Sequence, residues 1–179
     1  MKKICITFSL IFIIFLATAC DPAATKTENP PTTEYLRIHI RANSDDEKDQ
    51  SVKYEIRDAL VSALTPKIAE CKDKAAAIRT VESEKGNLEY IANALLDEKG
   101  FDYSAKVVIR EEEFPTRVYD GCSLPNGYYD AVIVELGKAE GKNWWCVVYP
   151  PLCFSSTENV TYKSKIAEIV RQFKQRYGV

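Results

Sequence analysis

The chain has 179 residues, 46% of them hydrophobic and 28% charged, which is enough for one domain with a buried core and too apolar for wholesale disorder. Twenty-four basic and 26 acidic side chains leave a formal charge of −2; without Lys2 and Lys3 of the leader described next, 22 stand against 26, or −4. So mild an acidic balance gives no footprint for nucleic acid or an anionic membrane surface.

Met1-Lys2-Lys3, the apolar run Ile4 to Leu16, and Ala17 and Ala19 predict a signal peptide over residues 1–19. The apolar run falls short of the roughly 18 residues that a spanning helix needs. Cleavage after Ala19 would put Cys20 first, so LATAC also resembles a lipoprotein box, with Leu16 one place further out than such boxes have it. Acylation of Cys20 would anchor the chain to a membrane; the alternative is a freely secreted protein. Residues 20–34, with Pro22, Pro30 and Pro31 and no apolar period, read as a flexible tether. Residues 35–179 read as a single domain.

The domain opens on Leu36, Ile38 and Ile40 alternating with Arg37, His39 and Arg41, a strand with one wet or partnered face. Ser44 with Glu47 fits a capping box. Val52, Ile56, Leu60 and Leu64 then mark an amphipathic helix, ended by Thr65-Pro66. Ala75 to Ser83 reads as helical, Gly86-Asn87 as punctuation, and Leu88 to Leu96 as a further helix stopped at Gly100. Tyr103, Ala105, Val107 and Ile109 alternate in a strand that runs into Glu111-Glu112-Glu113. After a loop bracketed by Phe114-Pro115 and Leu124-Pro125, Asn126-Gly127 leads into a strand from Tyr128 to Leu136. A strand from Asn143 to Tyr149 follows, and the two read as an antiparallel pair. Trp144, Cys146 and Val148 fall on one side of it, and Trp145, Val147 and Tyr149 on the other. Ile166, Ile169, Val170 and Phe173 mark a last amphipathic helix. The expected fold is α/β of the α+β kind: a mixed sheet of about four strands, mainly antiparallel in its C-terminal half, packed by three to four helices.

Export permits disulfides. Cys5 leaves with the leader and Cys20 is the candidate for lipidation, so Cys71, Cys122, Cys146 and Cys153 remain, with three pairings open. The shortest, Cys146 with Cys153, would close a loop around Pro150-Pro151 and contribute about 2.5 kcal/mol; two free buried thiols are the alternative.

Catalytic signals are sparse. His39 is the sole histidine, which excludes a zinc site needing several imidazoles. A thiol or hydrolytic enzyme would need it beside Cys146 or the Glu111 cluster. The cysteines lack Cys-x-x-Cys spacing, and there is no phosphate loop, nucleophile elbow or dinucleotide fingerprint. No catalytic residue, metal or cofactor is expected.

LRIHIRANSD at 36–45, Asp49-Gln50, Arg57-Asp58, FPTR at 114–117, LPNGYYDAVIVELG at 124–137 and GKNWWCVVYPPLCF at 141–154 together resemble the stage II sporulation protein R family, with LPNG where that family has LPAG. The resemblance implies an exported signal in endospore formation. Such a protein is made in the forespore, enters the space between forespore and mother cell, and triggers a membrane-embedded aspartic protease that cuts the sigma factor E precursor. It implies neither a nucleic acid nor a small-molecule partner. The surface expected to touch that protease is Trp144, Trp145, Tyr149, Pro150 and Pro151, with Phe114 and Arg117 nearby as a second patch, because Trp, Tyr and Arg dominate hot spots and a Pro-Pro turn has little entropy left to lose. The competing reading is that all of these are core or core-supporting, as a strand apolar on both faces is a doubly covered one. An envelope-binding lipoprotein module is the other reading.

Overall fold

The alternating segment at the start of the domain becomes the second strand from one edge of a four-stranded sheet. The computed structural model describes residues 31–119, 122–154 and 160–178. The predicted leader, most of the tether and Cys20 lie outside the described residues. Strands β1 (Leu36–Arg41), β2 (Ala105–Phe114), β5 (Gly127–Leu136) and β6 (Asn143–Tyr149) form the sheet in the order β2-β5-β1-β6, and β3 (Arg117–Tyr119) pairs with β4 (Cys122–Leu124) in a separate ribbon. Helices α1 (Glu47–Ile68), α2 (Lys74–Glu98) and α3 (Val160–Tyr177) complete the described elements, with short 3-10 turns at Thr32–Glu34 and Leu152–Phe154. No helix among the described residues is long and apolar enough to cross a membrane.

β5 and β6 are not a pair, contrary to the sequence expectation. β1 lies between them, parallel to β5 and antiparallel to β6. A doubly flanked central strand must be apolar on one face and covered on the other, and all of β1 from Leu36 to Ile40 is buried. Its Leu36, Ile38 and Ile40 join Val132 and Val134 of β5 under Val52, Ile56, Leu60 and Leu64 of α1.

Both helices run longer than the sequence signals suggest. α1 passes Pro66 and ends at Ile68, because a proline in the last turn forfeits a single ladder bond while Leu64 and Ile68 remain fully buried. α2 passes straight through Gly86, since Ala77, Val81, Leu88, Ala92 and Leu96 keep one buried stripe on both sides of it. That burial outweighs the ~1 kcal/mol a mid-helix glycine costs. The capping box does not form. Asp46 is the N-cap, and Ser44 accepts from the Asp46 N–H while its hydroxyl donates to Asp49. A bulge between Leu36 and Arg37 also shifts the β1–β6 register, so Tyr149 packs with the helix-side core instead of with Trp145 and Val147.

Candidate functional site

The face of the sheet away from α1 and α2 holds an aromatic and cationic interior. Phe114, the last residue of β2, pairs with Gly127 at the far end of the hairpin. Its ring nevertheless lies 4.9 Å from Trp145 on the opposite edge strand, so the hairpin curls across the sheet and encloses the side chains beneath. Pro115 and Pro125 then break both strands, and the β3–β4 ribbon folds back with Tyr119 and Leu124 over the same space.

Arg37 is fully buried there. Its Nη2 donates to the Tyr119 hydroxyl at 2.8 Å, and the guanidinium sits 4.2 Å from the Phe114 ring centre and 4.8 Å from that of Tyr129. Among the described residues, Nε and Nη1 have no acceptor in hydrogen-bonding geometry. Burial lowers its pKa, and the two tyrosines partly offset this. Cation–π contact with stacked rings, worth about 2 kcal/mol each when desolvated, is what replaces a counter-ion.

His39 is next to it, 1% exposed, stacked on Trp145 at 3.6 Å and edge-on to Phe114. Its Nδ1 is 3.4 Å from Glu112 Oε1, and Glu112 is also held by Arg41, which reaches Glu135 as well. Burial lowers the His39 pKa; contacts with Asn143 and Glu112 oppose this and Arg41 adds to it. A neutral imidazole beside a carboxylate is an acid–base couple in composition. Here it is closed in by two aromatic rings, so it supports packing. Cys146 is no partner for it: it lies beside Ile38 on the helix-side core and is bonded to Cys153. Cys71 is a buried thiol near Thr80 whose pKa burial pushes up, the opposite of a nucleophile. Among the described residues, no three His, Cys, Asp or Glu side chains come together to hold a metal.

The seven residues expected in two contact patches divide between buried, half-buried and exposed positions. Phe114, Tyr149, Pro150 and Pro151 are buried, with the Tyr149 hydroxyl donating to the Lys72 carbonyl at 3.0 Å. The kink is inside because the Cys146–Cys153 bond draws the turn after β6 back against that strand. Trp144 and Trp145 are half-buried on opposite faces, Trp144 under the Arg57 guanidinium. Arg117 is exposed on the ribbon. The sequence reading missed Val118, 67% exposed, and Tyr128, 62% exposed. The alternation that puts Tyr129 inside was the signal that puts Tyr128 out.

The RANSDD block is occupied in holding loops together. Asp49 accepts from Asn43 Nδ2 (2.8 Å), Ser44 Oγ (2.6 Å) and the Tyr103 hydroxyl (2.6 Å). Asn43 Oδ1 accepts from the Lys138 N–H, and Asp45 from the Lys142 N–H. Buried Lys53 donates to Gln50 and to the Lys142 carbonyl. Gly137 and Gly141 admit this docking. A Cβ on Gly137 would fall 2.3 Å from Asn43 Oδ1, and one on Gly141 2.1 Å from the Ser44 carbonyl oxygen.

These blocks are the ones that carry the resemblance, and the family model described as Stage II sporulation protein R (spore_II_R) matches residues 32–159. The chain belongs to the stage II sporulation protein R family. Stage II sporulation protein R of Bacillus subtilis (strain 168) is 34% identical over 166 residues, covering 89% of this chain and 74% of that protein. No solved structure matches. In this member of the stage II sporulation protein R family, the matched span takes in the whole sheet, α1 and α2, and stops before α3. LRIHIR builds the central strand, FPTR the hinge of the ribbon, and NWWC the edge strand that closes on Phe114.

Proposed function

We propose that this sporulation protein is an exported signal without catalytic activity, made in the forespore. It acts in the space between forespore and mother cell and activates the membrane-embedded aspartic protease that processes the sigma factor E precursor. Kinship with the Bacillus subtilis protein carries the reading. The closure of His39 under Trp145 and Phe114 supports it, because the chain's single imidazole offers no acid–base group to a substrate. A ligand of this kind works by binding one state of its receptor better than the other, since only differential affinity moves an equilibrium. Acylation at Cys20 would anchor the domain to the outer face of the membrane it has crossed, facing the receptor across the gap.

Deleting the gene in its host and blotting for the sigma precursor during sporulation tests the proposal. Accumulated precursor is the expected result. Normal processing in the deletion strain would refute it.

A further inference from the structure

β2 is guarded along only part of its outer edge. It is the terminal strand of the sheet, and α2 covers its first residues with side chains. Asn93 accepts from the Ala105 N–H at 2.8 Å and donates to the Ala105 carbonyl at 3.1 Å, and Glu89 accepts from the Val107 N–H at 2.8 Å. The same helix begins over the neighbouring strand, where Lys74 bonds Asp130 of β5 at 2.6 Å. It therefore crosses inward and leaves the edge behind. By the two-residue period of a strand, Ile109, Glu111 and Glu113 turn N–H and C=O outward as Ala105 and Val107 do. Among the described residues, no group takes them up.

The side chains along this open stretch have a definite character. Glu111 and Glu113 are exposed and make no ion pair among the described residues. Tyr128, the cross-strand neighbour of Glu113, is exposed as well, and Ile109 is half-buried. The opposite face is already satisfied, with Arg110 held by Glu112 and Glu135.

We propose that the distal edge of β2 is a docking edge for an extended segment of a partner protein. The segment adds as a fifth strand, with basic side chains at two alternate positions opposite Glu111 and Glu113 and an apolar one opposite Ile109. Main-chain bonds to the outward groups supply affinity, and the alternate cross-strand charges supply specificity. The competing role for the two glutamates, keeping other strands off the edge, predicts no such binding. The inference goes beyond the signalling reading and stands on the strand geometry and its two exposed carboxylates.

The test uses the full chain and two labelled hexapeptides of one composition. Ile-Thr-Lys-Thr-Lys-Thr has the required alternation and Ile-Lys-Lys-Thr-Thr-Thr does not. Fluorescence anisotropy should show about tenfold tighter binding of the first, or ~1.4 kcal/mol, and amide exchange should slow at Ile109, Glu111 and Glu113. Glu111→Pro removes an outward N–H and leaves the ladder to β5 intact, so it should abolish the preference. The double variant Glu111→Lys, Glu113→Lys keeps the backbone whole and should abolish it too. Equal binding of both peptides, or an unchanged preference in the double variant, would overturn the proposal.

Discussion

Replacing Asp49 should cost more than any other single change in the loop network. The carboxylate is 6% exposed and accepts three hydrogen bonds of 2.6 to 2.8 Å. A buried donor left without its acceptor costs about 1–3 kcal/mol. Asn43, Ser44 and Tyr103 are half-buried, so water would recover part of that. The expected loss for Asp49→Ala is therefore about 3 kcal/mol, and for the isosteric Asp49→Asn, which keeps one acceptor oxygen, about 2. Burial alone would raise the Asp49 pKa, but the bonds from Ser44, Tyr103 and Asn43 outweigh it and hold the group below its ordinary 3.8. The folded state thus gives up its proton more readily than the unfolded one. The stabilisation is complete above that ordinary value and disappears as pH falls below it. Urea unfolding of wild type and variants at pH 7 and pH 3 measures both effects. A loss under about 0.5 kcal/mol at pH 7, within the range of an ordinary surface substitution, or a gap that does not shrink at pH 3, would refute the reasoning.

Other outcomes follow from single positions. Gly86→Ala should stabilise by about 0.5–1 kcal/mol, because the site lies inside α2 and a Cβ there meets nothing within 4 Å; a lower urea midpoint would mean the helix breaks at that point. Gly141→Ala should cost at least about 2 kcal/mol by overpacking, since the new carbon meets the Ser44 backbone; an unchanged midpoint would contradict the tight docking of the β5–β6 loop. His39 has a folded pKa below its ordinary 6.5, so the unfolded chain takes up the proton first and stability should fall as pH drops below that value. His39→Leu should flatten the change in urea midpoint between pH 7.5 and 5.5, and an equally steep profile in the variant would exclude His39 as its source.

Periodicity gave the main strands and helices, read the β3–β4 ribbon as a loop and α2 as two helices, and gave the neighbours less well. Alternation located β1 and β2 and the four-residue stripe located α1, because burial on one face leaves its period in the chain, while the Asn126-Gly127 turn signal marked the start of β5. The β1–β5 parallel pairing was hidden, since β5 and β6 are close in sequence and only the long-range register reveals that β1 separates them. Gly86 and Pro66 misled for one reason: local propensities near 1 kcal/mol for glycine, or one lost ladder bond for proline, are small beside the burial of Val81, Leu88 and Ile68. Of the contact surface, the residue types were legible and their exposure was not. A proline pair after an aromatic strand looks like a projecting turn, yet Pro150 and Pro151 are buried. Arg37 and His39 looked like a polar face because nothing local announces that a hairpin some 75 residues downstream, at Phe114, will curl over them.

The strand that occupies the middle of the sheet is also the one that leaves any ribosome or export channel first. Its partners on β5 arrive much later, Arg41 and Glu135 being 94 residues apart, and β6 later still. Until then β1 has no strand to hydrogen-bond with, so its place in the sheet stays open until β5 has emerged. Pairings this distant in sequence cost loop-closure entropy before they form, which slows folding.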